Sequence, residues 1–408
     1  MLESMKIGMI VRRLNVKGGT QRQMLALARE LKRRGHRIKI YTFTYDKEKC
    51  YPELLEGLEV VVHEEKESGS WDYYLDFRFL KGQLGSILRE TRRAKHLALT
   101  MDRDFDLLNP HDQVSYKVAY YYKRLVKKVP AVWNMNDLPL YRFGYDKMRA
   151  VDPAFHKSLL RRLIYRFLDA YDACFMKAQD RIIVVDFWNR GLVKKYLGLL
   201  ATTVRNGPDL EHFFYKKRTP PVSPKVKLLT SGIFLPHRRY EDAIRAVKTL
   251  VDQGFDPSLT IIGDYENDRT YYETVKALVE ELGMGSRVNI AGRVSEKELV
   301  EAYHSHDIYL FPHHWQSDGL SPFEAAACGL PIMVSRTAGS HELLTDLENG
   351  MVLKPKTPED IAKRVEELLK NPALYSKLSE NGNRFVRENF SWQKYTDDVL
   401  TVFNGAKG

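Results

Sequence analysis

"KIGMIVRRLNVKGGTQRQMLALARELKRRGHRIKIYTFT" runs from Lys6 to Thr44. Lys6 to Val11 reads as a buried first strand, and Arg12 to Gly19 as a loop. A helix follows from about Thr20 to Arg34, because Met24, Leu27, Ala28 and Leu31 fall on one stripe. Gly35 suits the position after the helix end, and Arg37 to Thr44 reads as the next strand. Strand, helix and strand in so short a stretch make a βαβ unit. Such a unit implies a parallel sheet, since parallel strands need a crossover between them.

The same alternation restarts in the second half. Strands are expected at Val226–Thr230, Ser258–Gly263, Val288–Ala291 and Ile308–Phe311. Helices are expected at Tyr240–Gln253, Tyr271–Leu282 and Glu296–Ser305. Pro331–Ser335 and Met351–Leu353 continue the pattern, which predicts a second doubly wound α/β domain. Between the halves lies "KKRTPPVSPK", Lys216 to Lys225, whose three prolines among charged and small polar residues mark an extended linker. The C-terminal part turns helical at Thr357–Leu369, Pro372–Glu388 and Ser391–Phe403. No internal repeat is visible.

Bulk properties limit the possible functions. The chain has 408 residues, 44% hydrophobic and 29% charged, which suits two globular domains. No apolar run approaches a membrane span, and the N-terminus shows no signal-peptide core. Cys50, Cys174 and Cys328 are far apart and odd in number, so neither a disulfide framework nor a metal site is expected, and a reducing cytosol is the simplest setting. The formal net charge of +11 favours anionic partners: phosphorylated substrates, an anionic membrane surface or nucleic acid.

Four stretches can carry chemistry. "HHWQSDGLSPFEAAACGLP", His313 to Pro331, follows a strand, where ligands bind in parallel α/β sheets. Within it Ser321, Pro322 and Glu324 suit N-cap, N1 and N3 of a helix, so Glu324 on its own reads as half of a capping box. In "SGIFLPHRRYEDAIRAV", Ser231 to Val247, Arg238 and Arg239 stand before a helix. There a guanidinium can clamp a phosphate, although an Arg-Arg pair is more often solvated surface. Gly18-Gly19 lets backbone approach a ligand, or is a plain strand-to-helix turn. It is not the G-x-G-x-x-G fingerprint of dinucleotide binding. "RNGPDLEHF", Arg205 to Phe213, is first of all a turn.

In order and spacing these stretches resemble the family-4 glycosyltransferases, retaining nucleotide-sugar enzymes of GT-B fold. Gly18-Gly19 with "ALARELKRRGH" resembles the family's first loop and helix. "VVDFWNRGLVKKYLG" leading to "VRNGPDLEHF" resembles its interdomain passage. "SGIFLPHRRYEDAIRA" falls at its phosphate motif, and "WQSDGLSPFEAAACGLPIMVSRTAGSHELL" at its Glu-x7-Glu block and following turn. "FSWQKYTDDVL" resembles its last helix, which crosses back onto the first domain. The resemblance implies two Rossmann-like domains facing a cleft. Residues 1–205, completed by a C-terminal helix at 391–408, would form the acceptor-side domain, and 206–390 the nucleotide-sugar domain.

It also implies roles for single residues. Glu324 matches the second Glu of the block, which binds ribose hydroxyls. Gln316 replaces the first, which contacts the transferred sugar, and an amide donates as well as accepts where a carboxylate only accepts. Asp318 is a candidate substitute. Gly319 and Leu320 match positions whose backbone N–H groups meet sugar or diphosphate. Gly232 and Arg238 match the phosphate motif's Gly and Lys, while Ile233 replaces its Arg, so Arg239 or His237 would have to compensate. No metal or other cofactor is expected, because basic side chains and helix ends neutralise the leaving diphosphate in this family. In "VPAVWNMNDLP", Val129 to Pro139, Asn136 stands at the family's active-site His, beside Asp137. Asn cannot exchange protons as imidazole does. The leaving phosphate is thought to serve as base in this family, so the loss of His need not abolish transfer. His111, in "LLNPHDQ", matches a His lining the same cleft, or else caps a loop.

The implied partners are a nucleotide-sugar donor and a glycan or lipid-linked acceptor. Helix His156–Leu168 carries Lys157, Arg161, Arg162 and Arg166 and no acid. Leu160, Leu163, Ile164, Phe167, Leu168 and Tyr171 form one face of it. Two readings stay open: a core-packed helix with a solvated basic face, or contact with the cytosolic face of an anionic membrane. Two rivals to the enzyme reading are a non-catalytic GT-B binding protein and a nucleic-acid binder. The latter lacks any recognisable motif.

Overall fold

The computed structural model describes residues 4–63, 80–151, 153–266, 268–317 and 319–407. The chain divides into two compact units, Met1–Asn206 with Trp392–Gly408, and Gly207–Ser391.

The first unit holds a parallel sheet of β1 (Lys6–Leu14), β2 (Arg37–Tyr45), β3 (Glu59–Val62), β4 (Leu107–His111), β5 (Val132–Met135), β6 (Arg181–Val184) and β7 (Thr202–Thr203). Their order is β3-β2-β1-β4-β5-β6-β7. β1 runs three residues beyond the expected Val11, because Arg13 and Leu14 stay in register with Thr44 and Tyr45 of β2. The expected Arg12–Gly19 loop therefore shrinks, and the helix begins at Gly19. That helix, Gly19–Arg33, buries Met24, Leu27 and Leu31 in a cluster with Val399, Leu400 and Phe403 of the last helix, Trp392–Lys407. Burying each such side chain is worth at most about 1.5–3 kcal/mol, enough to hold the last helix on the first unit. Arg34 adds a hydrogen bond to the Gln393 carbonyl at 2.9 Å.

Helix Leu159–Met176 differs from its expected facing. Its inward side is Tyr165, Leu168, Asp169, Asp172 and Phe175, while Leu159, Leu160, Leu163 and Phe167 point to solvent. The inward acids are held in place. Asp172 and Glu90 flank the fully buried Lys117 Nζ at 2.8 and 2.6 Å. Asp169 accepts from the backbone N–H groups of Tyr141 at 2.7 Å and Arg142 at 3.1 Å.

The second unit holds β8 (Lys225–Ser231), β9 (Asp256–Ile262), β10 (Val288–Gly292), β11 (Ile308–Phe311), β12 (Ile332–Ser335) and β13 (Met351–Leu353), in the order β10-β9-β8-β11-β12-β13. The expected linker, Lys216–Lys225, lies inside this unit and packs on it. Phe213, just before it, is fully buried. Arg218 donates to the carbonyls of Tyr303, His304 and His306, each at 2.6 Å, satisfying the end of helix Glu296–Ser305. In both sheets the strand order reverses at one place, β1/β4 in the first and β8/β11 in the second. Ligands bind beyond the carboxyl ends of strands at such a switch point.

Candidate functional site

In the second unit, Gly232 and His313 lie just past the ends of β8 and β11. Gly232 has φ +150°. Its N–H donates to the Ile262 carbonyl at 2.9 Å, and its carbonyl accepts from Tyr240 Oη at 2.6 Å. A Cβ on neighbouring Gly263 would stand 1.8 Å from the Gly232 oxygen, so two glycine backbones lie against each other here. Arg238 ends a single 3-10 turn, Pro236–Arg238, and donates from Nη1 to His313 Nδ1 at 3.0 Å. A guanidinium can only donate, so His313 carries its ring proton on Nε2. Burial of His313 beneath this contact fixes the Arg238 head at the switch point.

His237 Nε2 meets Gln316 Oε1 at 3.1 Å, and the His314 N–H donates to the His237 carbonyl at 2.7 Å. The loop after β11 is thereby tied to the loop after β8. Gln316 forms an isolated bridge with Ala338, and its carbonyl accepts from Gly339 N at 2.9 Å. Trp315 before it is held at φ +53°, an uncommon conformation for an aromatic residue and one that clusters at functional sites. Gly319 has φ +81°, and a Cβ there would meet the Phe311 ring at 2.8 Å. Asp318 lies outside the described residues.

Two expectations change. The helix begins at Ser321 with Leu320 in the cap position and no side-chain cap, so Ser321 and Glu324 do not occupy the N-cap and N3 positions of a capping box. The buried Glu324 carboxylate instead accepts from Tyr303 Oη at 3.1 Å. Burial first, and the Glu324 charge second, raise the Tyr303 phenol well above its ordinary pKa and keep it a donor. Arg239 is not available to compensate for Ile233. Its guanidinium is held by Asp242, with contacts of 2.9 and 2.7 Å, and by Glu241 at 2.5 Å.

In the first unit, Asn136 and the Gly18-Gly19 turn come together. Asn136 Nδ2 donates to Thr20 Oγ1 at 2.8 Å, and the Asn136 carbonyl accepts from Asn189 Nδ2 at 3.1 Å. Asp137 beside it is exposed. His111 does not cap a loop, because Asn109 is the one hydrogen-bond partner of its ring among the described residues. It is fully buried in β4, with Nε2 against Asn109 Oδ1 at 2.6 Å, and burial pushes its pKa down to about 3. Asn109 bonds Asn134 at 2.9 Å, and both Asn134 and Gln23 donate to Tyr395 Oη, at 3.1 and 2.9 Å. His111 thus terminates a buried polar chain that reaches the last helix. Its neighbour Asp112 was missed by sequence reasoning. It sits past the end of β4 at φ +64°, and burial raises its carboxyl pKa despite the charge of Arg12 nearby. The only signal was its place after a strand. Among the described residues no three His, Cys, Asp or Glu side chains gather as a metal site.

Two parallel α/β units with switch-point sites of this kind define the GT-B class of glycosyltransferase folds. Residues 212–385 match the family description "Glycosyl transferases group 1", and residues 17–212 match "Glycosyltransferase Family 4". The chain belongs to the family-4 glycosyltransferases. An uncharacterized glycosyltransferase of Methanocaldococcus jannaschii is 26% identical over 61% of this chain and 62% of its own length. The chain thus spans about three fifths of that relative. Sucrose-phosphate synthase from Thermosynechococcus elongatus aligns over 98% of both chains with a TM-score of 0.75 and 16% identity. Anabaena HepE in complex with UDP and glucose covers 98% of this chain and 100% of its own, with a TM-score of 0.72 and 15% identity.

Proposed function

We propose that the protein transfers a hexose from a nucleoside diphosphate sugar to a hydroxyl of a glycan, polysaccharide or lipid-linked saccharide, with retention at the anomeric carbon. The contact that carries this reading is Arg238 on His313 beside Gly232, one cation fixed at the switch point of the second sheet. A phosphate there would meet a positioned guanidinium and closely approaching backbone. The UDP and glucose in the Anabaena relative support a donor of this class.

In this mechanism Arg238 holds the diphosphate and stabilises the charge that grows on it as the anomeric C–O bond breaks. No metal is needed for that step. Glu324 accepts from the ribose hydroxyls, its orientation set by Tyr303. Gln316, oriented by His237, presents its amide to the sugar. The acceptor oxygen bonds to the anomeric carbon on the face the diphosphate leaves, and its proton passes to the departing phosphate oxygen. Asn136 and Asp137 serve as hydrogen-bonding groups for the acceptor, with the Gly18-Gly19 turn beside them.

Thermal shift against UDP, GDP, ADP and dTDP, and then their sugars, tests the reading. One nucleotide should stabilise the protein, and Arg238→Ala and Glu324→Ala should each lose the effect. With that donor and a competent acceptor, NMR of the product should show the donor's anomeric configuration. If no nucleotide shifts the melting temperature, the chain is a binding or scaffold protein and the departures at Ile233, Gln316 and Asn136 explain why.

A further inference from the structure

Helix Leu159–Met176 carries an apolar stripe on its solvent side. Leu159 is 70% exposed, Leu160 67%, Leu163 53% and Phe167 69%. At 3.6 residues per turn these four fall within roughly 100° of the helix circumference. Arg162 and Arg166, also exposed, border one edge of that stripe. The opposite side is pinned to the unit by Asp169 on the 141–142 backbone and by Asp172 on Lys117. The helix therefore cannot roll its leucines inward without breaking a buried ion pair.

We propose that this face is a docking surface for an anionic lipid bilayer, lying in the plane of the headgroups rather than spanning the membrane. Among the described residues no helix is long and apolar enough to cross. An amphipathic helix with Leu and Phe on one side and Arg at the border has the composition for interfacial binding. The arginines would sit at headgroup level while their stems follow the apolar face, and the net charge of +11 adds attraction to the same surface. The occupant is anionic lipid and not a second copy. An antiparallel symmetric pair would set Arg162 and Arg166 beside their own counterparts, and in any pairing four side chains on one helix fall short of the ~800 Å² per partner of a stable interface. The same helix, through Asp169, fixes the start of helix Tyr141–Val151, which follows the Asn136-Asp137 loop. A docked bilayer would hold a lipid-linked acceptor on the first unit, where that loop stands.

Flotation with phosphatidylcholine vesicles, with and without phosphatidylglycerol, tests this without any substrate, so it stands or falls apart from the transfer reaction. The intact protein should float with the anionic vesicles at least about tenfold more than with neutral ones. Leu163→Ser/Phe167→Ser and Arg162→Glu/Arg166→Glu should each reduce that by about tenfold or more, with melting temperatures unchanged because the altered side chains are exposed. Equal flotation of wild type and both variants would assign any binding to diffuse charge and overturn the proposal. So would failure of the intact protein to float. Light scattering that shows a dimer abolished by Leu163→Ser/Phe167→Ser would also overturn it, in favour of a second copy.

Discussion

Gly263→Ala tests whether backbone contact at the switch point builds the donor site. The added Cβ would lie 1.8 Å from the Gly232 oxygen and 2.8 Å from its carbonyl carbon, where real Cβ contacts begin near 3.0 Å. The two backbones must therefore separate by roughly 1.2 Å, and neither is the tip of a flexible side chain. The Gly232 carbonyl cannot move that far from β9 and keep its surroundings. Its bond from Tyr240 Oη is 2.6 Å, and the Gly232 N–H is held to Ile262 at 2.9 Å. Losing one buried hydrogen bond costs about 1–3 kcal/mol, and overpacking adds about 1–3 kcal/mol. The sum, about 2–6 kcal/mol, corresponds to roughly 4–24 °C in melting temperature for a unit of this size. Differential scanning fluorimetry with and without the stabilising nucleotide reads both consequences. Melting should fall by that amount and the nucleotide shift should shrink. Gly19→Ala is the control, since a Cβ there meets nothing within 4 Å. At a helix start it should leave stability unchanged or raise it by about 0.4–1 kcal/mol. A Gly263→Ala protein that melts within a degree of wild type and keeps its nucleotide shift would refute the packing argument.

Arg238→Ala should weaken nucleotide binding by roughly 10- to 150-fold, the value of a charged hydrogen bond, whereas Arg239→Ala should cost stability with no change in nucleotide affinity; calorimetric titration of both separates the two arginines. Lys117→Met leaves Glu90 and Asp172 buried without their cation and should lose about 3–5 kcal/mol in urea denaturation. Adding Glu90→Gln and Asp172→Asn should recover much of that loss. His111 has a folded pKa near 3, below the ordinary histidine value. Its contribution is therefore full above about pH 6.5 and is lost as pH falls from there toward 3, by about 2 kcal/mol at pH 5. His111→Gln, which can still donate to Asn109, should flatten the stability–pH curve across that window, and an unchanged slope would count against it.

The fold was legible because both halves obey one rule, buried strands alternating with amphipathic helices, and that rule needs only local periodicity. The two switch points follow from strand order, which periodicity does not state. Gly232 is picked out by its match to the phosphate motif, whereas Gly263, which also follows a strand, belongs to no motif, and only the pairing of β8 with β9 sets the two against each other. Local reasoning misled where a tertiary partner outbid a neighbour. Ser321 and Glu324 have capping spacing, but Tyr303 from the preceding helix takes the carboxylate. Arg238 and Arg239 are adjacent and chemically identical, yet one faces a buried histidine and the other two acids of its own helix. Helix Leu159–Met176 shows the same limit. Its apolar residues cover more than one face, and only buried Asp169 and Asp172 decide which side turns in.

Two amides stand where the resemblance places a carboxylate and an imidazole. Both are already oriented by the protein. Gln316 Oε1 is taken by His237, and Asn136 Nδ2 by Thr20. Each amide therefore has its other end set by chemistry: Gln316 turns its N–H groups away from His237, with one of them donating to Ser317 Oγ at 3.3 Å, and Asn136 turns its oxygen away from Thr20. On the proposed function the sugar meets donors where a carboxylate would offer acceptors, and the acceptor meets a carbonyl where an imidazole would titrate. Gln316→Glu restores the acceptor and should change which donor sugar is used more than it changes nucleotide affinity. Competition between sugars that share the preferred nucleotide measures this. An equal loss for every sugar would mean that Gln316 serves the loop and not the substrate.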